Sequence, residues 1–367
     1  MNILFICSEA DPLVKIGGLG DVGGALPAAL HSLSKEGGNY SSLDIRLAIP
    51  YYPKIKIQDI PTRFITSIKI KTAESPVEAR IFETSLSGVT TYLVSGEPID
   101  RSEMVYGLDF KSDAEKFIFF SLACLQLPHA LHWTVDILHA NDWHTAVAVH
   151  QLKDLPNKPA ELKNTKSILS LHNLPFMGTG SEEALKKYQI SPSTNSDLPA
   201  WGRELPLPMG LAAADRIIAV SPTYAREILT PEYGCDLQDF LKTRETNLMG
   251  ILNGIDTHAW DPFTDPEIRP NFDQGTIENK KLNTAALRKE FYLPAKNNQP
   301  LLVLISRLDQ QKGVDILIEA LRLIKKHPWQ AILLGTGNKL LEQACVDLQT
   351  ALPDKVRAAI ASTAGTK

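Results

Sequence analysis

Short apolar segments alternate along the chain with amphipathic ones, and most apolar segments end in turns rich in glycine, proline or polar residues. Short continuous apolar runs are typical of buried strands, whereas apolar residues spaced three or four apart are typical of helices. In the first part of the chain the pattern predicts strands at residues 2–7, 43–49, 136–139, 167–171, 216–220 and 249–252. It predicts helices at residues 21–33, 113–127 and 222–229. Strands that alternate with helices indicate the α/β class.

Residues 64–94 have a different pattern, because apolar and polar residues alternate there with the period of two that is typical of antiparallel strands. We expect this segment to form a hairpin insertion within the first domain.

A polar, proline-containing stretch from residue 256 to 281 interrupts the alternation and predicts a crossing between two domains. Beyond it the pattern predicts helices at residues 280–291, 314–326 and 339–348, and strands at 301–305 and 331–334. We therefore expect a first domain over residues 1–255, a crossing over 256–290 and a second domain over 291–367. Residues 361–367 have the composition of a tail, so the second sheet is expected to be incomplete.

Composition narrows the possible functions. The chain has 367 residues and a net charge of -4, which gives no electrostatic reason to expect nucleic acid as a partner. The four cysteines stand singly, as is typical of a reducing compartment, and no apolar run reaches the length of a membrane span. The sequence therefore predicts a cytoplasmic protein without a membrane partner.

A glycine-rich turn between the first strand and the first helix, with the sequence KIGGLGDV at residues 15–22, is the first candidate site. Backbone amides at such a helix start can bind a diphosphate, and glycines let the ligand approach closely. A tight turn with a solvated lysine explains the same residues. A dinucleotide dehydrogenase would require an acid at the end of the second strand, where Ile49, Pro50 and Tyr51 stand instead.

Several motifs resemble those of one family, the glycogen and starch synthases. They are KIGGLGDV, then GALP at 24–27, DILHANDWH at 136–144, LHNL at 171–174, VSPTYAREI at 220–228, LNGID at 252–256 and SRLDQQKG at 306–313. The resemblance covers almost the whole chain, in the family's order. It implies a GT-B fold, in which two Rossmann-like doubly wound domains face a cleft. It also implies a retaining glycosyltransferase that moves glucose from ADP-glucose to the non-reducing 4-hydroxyl of an α-1,4-glucan.

The resemblance also implies roles for particular residues. It implies that Arg307 and Lys312 clamp the leaving diphosphate, and that Lys15, Gly17 and Gly18 contact the donor from the first domain. Further implied contacts to donor or glucose are Asp21, Asp142, His172, Asn173 and Asn253. For three of them a structural role remains open: Asp21 as a helix-starting acid, His172 as a strand-end histidine and Asn253 as a turn residue.

No cofactor and no metal are expected, and the partners are the nucleotide-sugar donor and the glucan acceptor. His139, His144 and His150 cluster in the sequence, but His144 and His150 lie six residues apart on a predicted helix, which is not a same-face spacing. The chain also has no Asp-x-Asp pair of the kind that holds a metal and a diphosphate in other sugar transferases. Cationic side chains are expected to replace the metal.

The sequence departs from the family pattern at three places. Ile16 replaces the usual threonine of the glycine-rich turn, and Pro208 or Met209 stands where a lysine is usual. The family's Phe-Glu-Pro-Cys-Gly segment, with its essential carboxylate, is absent. The alternative is therefore a truncated, inactive remnant that only binds nucleotide-sugar or glucan. The nucleotide of the donor, ADP or UDP, remains open.

Overall fold

A computed structural model describes residues 1–35, 43–56, 60–155, 158–296 and 298–361. The chain divides into two compact units, Met1–Gly254 and Ile255–Lys367. The twelve described strands are β1 Asn2–Ile6, β2 Asp44–Pro50, β3 Arg63–Ile70, β4 Val77–Leu86, β5 Val89–Ser95, β6 Ile137–Asn141, β7 Lys166–Leu171, β8 Arg216–Ala219, β9 Leu248–Gly250, β10 Leu301–Ile305, β11 Gln330–Gly335 and β12 Val356–Ile360.

The described α-helices are as follows: α1 Gly18–Lys35, α2 Pro53–Lys56, α3 Glu97–Asp100, α4 Phe110–Ala130, α5 Asp142–Asp154, α6 Glu182–Lys187, α7 Pro206–Ala213, α8 Pro222–Glu227, α9 Gln238–Thr243, α10 Lys280–Glu290, α11 Val314–Leu323 and α12 Lys339–Ala351. Among the described helices, none combines the length and the apolar character that a membrane crossing requires.

The first unit is built on a nine-stranded sheet with the order β3-β4-β5-β2-β1-β6-β7-β8-β9. From β5 to β9, neighbouring strands are parallel. The chain runs outward from β1 in both directions, to β2 on one side and to β6 on the other. This reversal makes a topological switch point between β1 and β6, which is where open α/β sheets bind ligands.

The antiparallel segment differs from its predicted place in the fold. It contains three strands, and the third, β5, pairs in parallel with β2, with Arg46 opposite Thr90. The segment therefore extends the main sheet and does not form a separate hairpin insertion. The pairing with β2 joins residues that are more than forty positions apart, which a local alternation pattern does not reveal.

Helix α1 packs on the loop that follows β1, and two of its glycines make this contact possible. A Cβ atom at Gly23 would lie 2.1 Å from the carbonyl oxygen of Glu9, and one at Gly24 would lie 2.2 Å from that of Asp11. Any side chain at these positions would force the helix away from the loop. Gly23 and Gly24 therefore determine how closely α1 approaches the loop after β1.

The second unit contains a parallel sheet with the order β10-β11-β12. Its core includes Leu308, Val314, Ile318, Trp329 and Leu333. Strand β12 was not predicted, although it pairs along its length with β11. Of the predicted tail, residues 362–367 lie outside the described residues.

Candidate active site

The turns that follow β1, β6 and β7 carry most of the predicted site residues of the first unit. These three strands are neighbours and parallel, so their carboxyl ends meet at one edge of the sheet. The structure thereby places Lys15, Gly17, Gly18 and Asp21 beside a second group formed by Asp142, His172 and Asn173. Burial and hydrogen bonds show how each group is held.

In the glycine-rich turn, helix α1 begins at Gly18, three residues earlier than predicted. Cβ atoms built at Gly17 and Gly18 would have no neighbour within 4 Å, so the space in front of both residues is open. Lys15 Nζ lies 2.6 Å from Asp21 Oδ1, and both side chains are partly exposed. The two residues predicted to bind the donor therefore pair with each other in this structure.

Glu9, which the sequence analysis did not assign to the site, organises this turn from beneath. Its side chain is buried, at 1% exposure, in the loop after β1. Oε2 accepts hydrogen bonds from the backbone N–H of Ile16, at 2.5 Å, and of Gly17, at 3.2 Å, while Oε1 accepts one from the Tyr106 hydroxyl at 2.7 Å. In the sequence Glu9 is one of two acids, with Asp11, that follow the apolar run of residues 3–7, and nothing in the pattern distinguishes it.

This contact changes the predicted role of the Gly17 backbone. Because the Gly17 N–H is directed at Glu9, it is not the amide that faces an incoming diphosphate in this arrangement. The Gly18 N–H stands at the first position of α1 and has no hydrogen-bond acceptor among the described contacts. Of these two amides, Gly18 is the one available to an anion at the helix start.

Asp142 is the first residue of α5 and holds the turn after β7. Its backbone has φ 53°, a left-handed conformation that aspartate tolerates better than most residues. Oδ1 accepts hydrogen bonds from the N–H of His172, at 2.7 Å, and of Asn173, at 3.2 Å. Burial raises the pKa of Asp142, although His172 and these two hydrogen bonds oppose the rise. Asp142 therefore links the ends of β6 and β7.

His172 is oriented by Asn141. The Asn141 amide nitrogen donates to the carbonyl of Ile6, so its Oδ1 is left to accept from His172 Nε2 at 3.0 Å. This network assigns the imidazole proton to Nε2 and leaves Nδ1 as an acceptor. Burial lowers the pKa of His172, with Asp142 opposing, which favours the neutral ring. A neutral, oriented imidazole suits hydrogen bonding to a hydroxyl group.

The other histidines near this edge have structural surroundings. His139 Nε2 lies 2.7 Å from Ser170 Oγ, and His144 packs among the rings of Tyr106, Phe117 and Trp143. Burial lowers the pKa of His139 and that of His144 to about 3. Within the described residues, no group of three or more histidine, cysteine, aspartate or glutamate side chains has a geometry that could hold a metal ion.

In the second unit, Arg307 and Lys312 lie in the loop after β10, and Asp309 organises that loop. Asp309 Oδ1 accepts the Lys312 N–H at 3.1 Å, and its Oδ2 lies 3.5 Å from Arg307 Nη1. A short 3-10 helix, Gln310–Lys312, ends at Gly313, whose φ of 64° lets the chain turn into α11. Both cationic side chains are exposed and available to an anion.

Asn253 lies just past the carboxyl end of β9, the last strand of the first sheet. It is exposed, and the hydrogen bonds of the described residues include none from its side chain. In the sheet order β8 separates β9 from β7, which His172 and Asn173 follow, and the hydrogen bonds of the described residues include none between Asn253 and the other predicted residues of the first unit.

A cavity at the opposite edge of the same sheet does not belong to this site. It is lined by residues at the starts of β7 and β8, including Lys166, Ser167 and Arg216, and by Arg244. These positions are at the amino ends of the strands, whereas ligands of open α/β sheets bind at the carboxyl ends.

Known proteins that are similar in sequence and in structure indicate the family of this chain. A family model described as the starch synthase catalytic domain matches residues 2–243. The glycogen synthase of Aromatoleum aromaticum is 37% identical over 98% of this chain and 72% of its own length, and that of Streptococcus gordonii is 34% identical over 98% and 74%. The catalytic domain of starch synthase IV from Arabidopsis thaliana, solved with ADP and acarbose, has a TM-score of 0.84 at 26% identity, over 98% of this chain and 74% of that one. The predicted α/β fold of GT-B type is confirmed.

Proposed function

The chain belongs to the starch synthase catalytic domain family, and on this premise we propose that it transfers glucose from ADP-glucose to the non-reducing 4-hydroxyl of an α-1,4-glucan. The general activity, glucosyl transfer in glycogen or starch synthesis, follows from relatives that match 98% of the chain and are named glycogen synthase. The same matches favour a catalytic protein over the binding-only remnant.

One observation carries the proposal: the glycine-rich turn and the Asp142–His172–Asn173 group lie together at the switch point of the sheet. A nucleotide-sugar needs an anion site for its diphosphate and hydrogen-bonding groups for its sugar, and this edge has both. ADP is bound in the starch synthase IV structure, which supports an adenine nucleotide as donor.

The proposed reaction breaks the bond between glucose C1 and the diphosphate oxygen and forms a bond between C1 and the acceptor's O4. The proton of the 4-hydroxyl leaves with the diphosphate, so ADP and a glucan longer by one residue are the products. With attack from the donor's own face, the anomeric configuration is retained. Negative charge grows on the diphosphate while the glucosyl ring becomes oxocarbenium-like.

The proposed roles of the site residues follow from the negative charge that grows on the diphosphate. Arg307 and Lys312 neutralise the leaving diphosphate, Arg307 with a planar fork and Lys312 with a compact charge. Lys15 leaves Asp21 to contact the donor, and the Gly18 N–H supplies a hydrogen bond to it. His172 Nδ1 accepts a hydrogen bond from a glucose hydroxyl. Fixed cations perform the electrostatic work, so we propose that no metal ion takes part.

Incorporation of labelled glucose into glycogen, with ADP-glucose and UDP-glucose in parallel, tests the proposal. We expect one ADP released for each glucose incorporated, and a much larger kcat/KM with ADP-glucose. Nuclear magnetic resonance of the product should show a new α-linkage. A folded protein that incorporates no glucose from either donor would overturn the proposed function, and a preference for UDP-glucose would overturn the choice of nucleotide alone.

A further inference from the structure

Glu9 occupies an unusual environment for a carboxylate. It is buried, and within the described residues no lysine, arginine or histidine side chain forms an ion pair with it. Its hydrogen-bond partners are two backbone amides of the glycine-rich turn and the hydroxyl of Tyr106. A buried charge without a cation is costly, and hydrogen bonds from dipoles offset only part of the cost.

The contacts of Glu9 are directed at the turn that contains Lys15, Gly17 and Gly18. Its Oε2 accepts two consecutive N–H groups from residues 16 and 17, immediately before α1 begins. A Cβ atom at Gly20 would lie 3.0 Å from the same oxygen, so the first turn of α1 also rests on this carboxylate. The position of the helix start, and of the open Gly18 backbone, therefore depends on Glu9.

Tyr106 connects Glu9 to the neighbouring strand ends. Its hydroxyl donates to Glu9 Oε1 at 2.7 Å and lies 2.9 Å from Ser8 Oγ, so that Ser8 is left as the donor to Tyr106. The Tyr106 ring also packs against His144 of α5, with ring centroids 4.9 Å apart. Tyr106 thus fixes the side of the carboxylate that faces away from the turn.

We propose that Glu9 is a positioning residue for the donor site, whose ionised carboxylate holds the turn in the shape that presents Lys15 and the Gly18 N–H to the donor diphosphate. The inference deepens the proposed glucosyl transfer and rests on it. Glu9 does not touch the donor, since its two oxygens are occupied by Ile16, Gly17 and Tyr106.

Protonation of Glu9 should weaken this hold, because a carboxylic acid is a poorer acceptor for amide N–H groups than a carboxylate. Burial raises the pKa of Glu9, and the hydrogen bonds from Ile16, Tyr106 and Gly17 oppose that rise. The titratable and charged groups near it are Cys7 at the end of β1, Tyr52 after β2, Tyr106 before α4, Lys15 in the turn and Asp21 on α1. Asp142, at the start of α5, interacts electrostatically with Cys7. Burial raises the pKa of Asp142 as well, so the test must separate these two acids.

Steady-state kinetics of three proteins, the wild type, Glu9→Gln and Tyr106→Phe, distinguish an effect of Glu9 from an effect of Asp142. Glutamine keeps one acceptor for the amides but has no charge, so we expect the KM for ADP-glucose to rise at least tenfold in Glu9→Gln, with the KM for glycogen within twofold of the wild type. In the wild type, kcat/KM for ADP-glucose should fall at acidic pH as Glu9 becomes protonated. This fall should be absent in Glu9→Gln, which has no carboxylate to protonate. In Tyr106→Phe the fall should move to higher pH, because the lost hydrogen bond normally lowers the pKa of Glu9.

A purely structural Glu9 would give a different result. The melting temperature would fall in Glu9→Gln, while the donor KM and the acidic fall of kcat/KM would match the wild type, and this outcome overturns the inference. An acidic fall that persists unchanged in both variants arises from a group other than Glu9 and equally overturns the inference. Calorimetric titration of ADP gives a readout that does not depend on transfer, and tenfold weaker binding to Glu9→Gln is expected even if the proposed reaction itself fails.

Discussion

Asp142 Oδ1 accepts the backbone N–H of His172 at 2.7 Å, so the end of one strand is hydrogen-bonded to the turn after the next. The two residues are thirty positions apart in sequence. The same oxygen accepts the N–H of Asn173, which makes one carboxylate responsible for the shape of the His172–Asn173 turn.

Replacement of Asp142 by alanine should destabilise the first unit, because two N–H groups lose their acceptor at about 1–3 kcal/mol each. Asp142→Asn keeps Oδ1 and tolerates the left-handed backbone, so its free energy of unfolding should stay within about 1 kcal/mol of the wild type. Urea unfolding measures both. If Asn and Ala variants lose equal stability, Oδ1 does not hold the turn in solution.

Gly18→Ala and Gly23→Ala form a matched pair on α1. A Cβ atom at Gly23 meets the Glu9 carbonyl at 2.1 Å, whereas one at Gly18 meets nothing within 4 Å. We expect Gly23→Ala to lower the free energy of unfolding by about 1–3 kcal/mol or more. Gly18→Ala should fold normally, with a change below about 1 kcal/mol, yet raise the KM for ADP-glucose. Normal kinetics in a folded Gly18→Ala protein would place the diphosphate elsewhere.

Lys312→Ala should lower kcat by about two to three orders of magnitude, as the loss of a charge partner in the transition state does. Gln311→Ala, in the same 3-10 helix, is the control and should keep wild-type kinetics. Arg307→Lys should restore little of the activity lost in Arg307→Ala, because lysine lacks the planar fork. Steady-state release of ADP measures these rates, and an unchanged kcat in Lys312→Ala would reject its assignment.

Acidic pH should destabilise the protein through its buried histidines. The pKa of His139 is about 3 in the folded protein and about 6.5 when unfolded, so below pH 6.5 the unfolded chain binds the extra proton. The free energy of unfolding therefore falls as pH decreases, by about 1.4 kcal/mol per pH unit for this group. His139→Gln should lose about 2 kcal/mol less than the wild type between pH 7 and pH 5 in urea unfolding. His132→Asn, at an exposed position, is the control and should keep the wild-type pH dependence.

The order of elements could be predicted well from the sequence alone. The eight strands and six helices predicted outside the alternating segment, such as β1, β6, β7 and β10, all lie within three residues of their predicted bounds. Apolar runs and their turns are local features, and burial of a strand on both faces leaves a local signature. The family resemblance, which is the sum of short motifs in order, was confirmed for the same reason.

What the linear pattern left undecided depends on contacts between distant residues. The parallel pairing of β5 with β2 and of β12 with β11 is set by the completed sheets, so neither was predicted. In the site, the sequence identified Lys15, Asp142 and His172. Only the folded chain shows that Lys15 pairs with Asp21, and that Asp142 accepts a hydrogen bond from the backbone of His172.

Glu9 shows the physical reason most directly. Read as a sequence, it is one acid at the end of an apolar run, and a solvated acid would look the same. Tertiary packing buries it, removes water and leaves the amides of Ile16 and Gly17 with Tyr106 as its partners. The residue types and their order determined which chemistry this protein has available. Burial and long-range hydrogen bonds decided which atoms remain free to perform it.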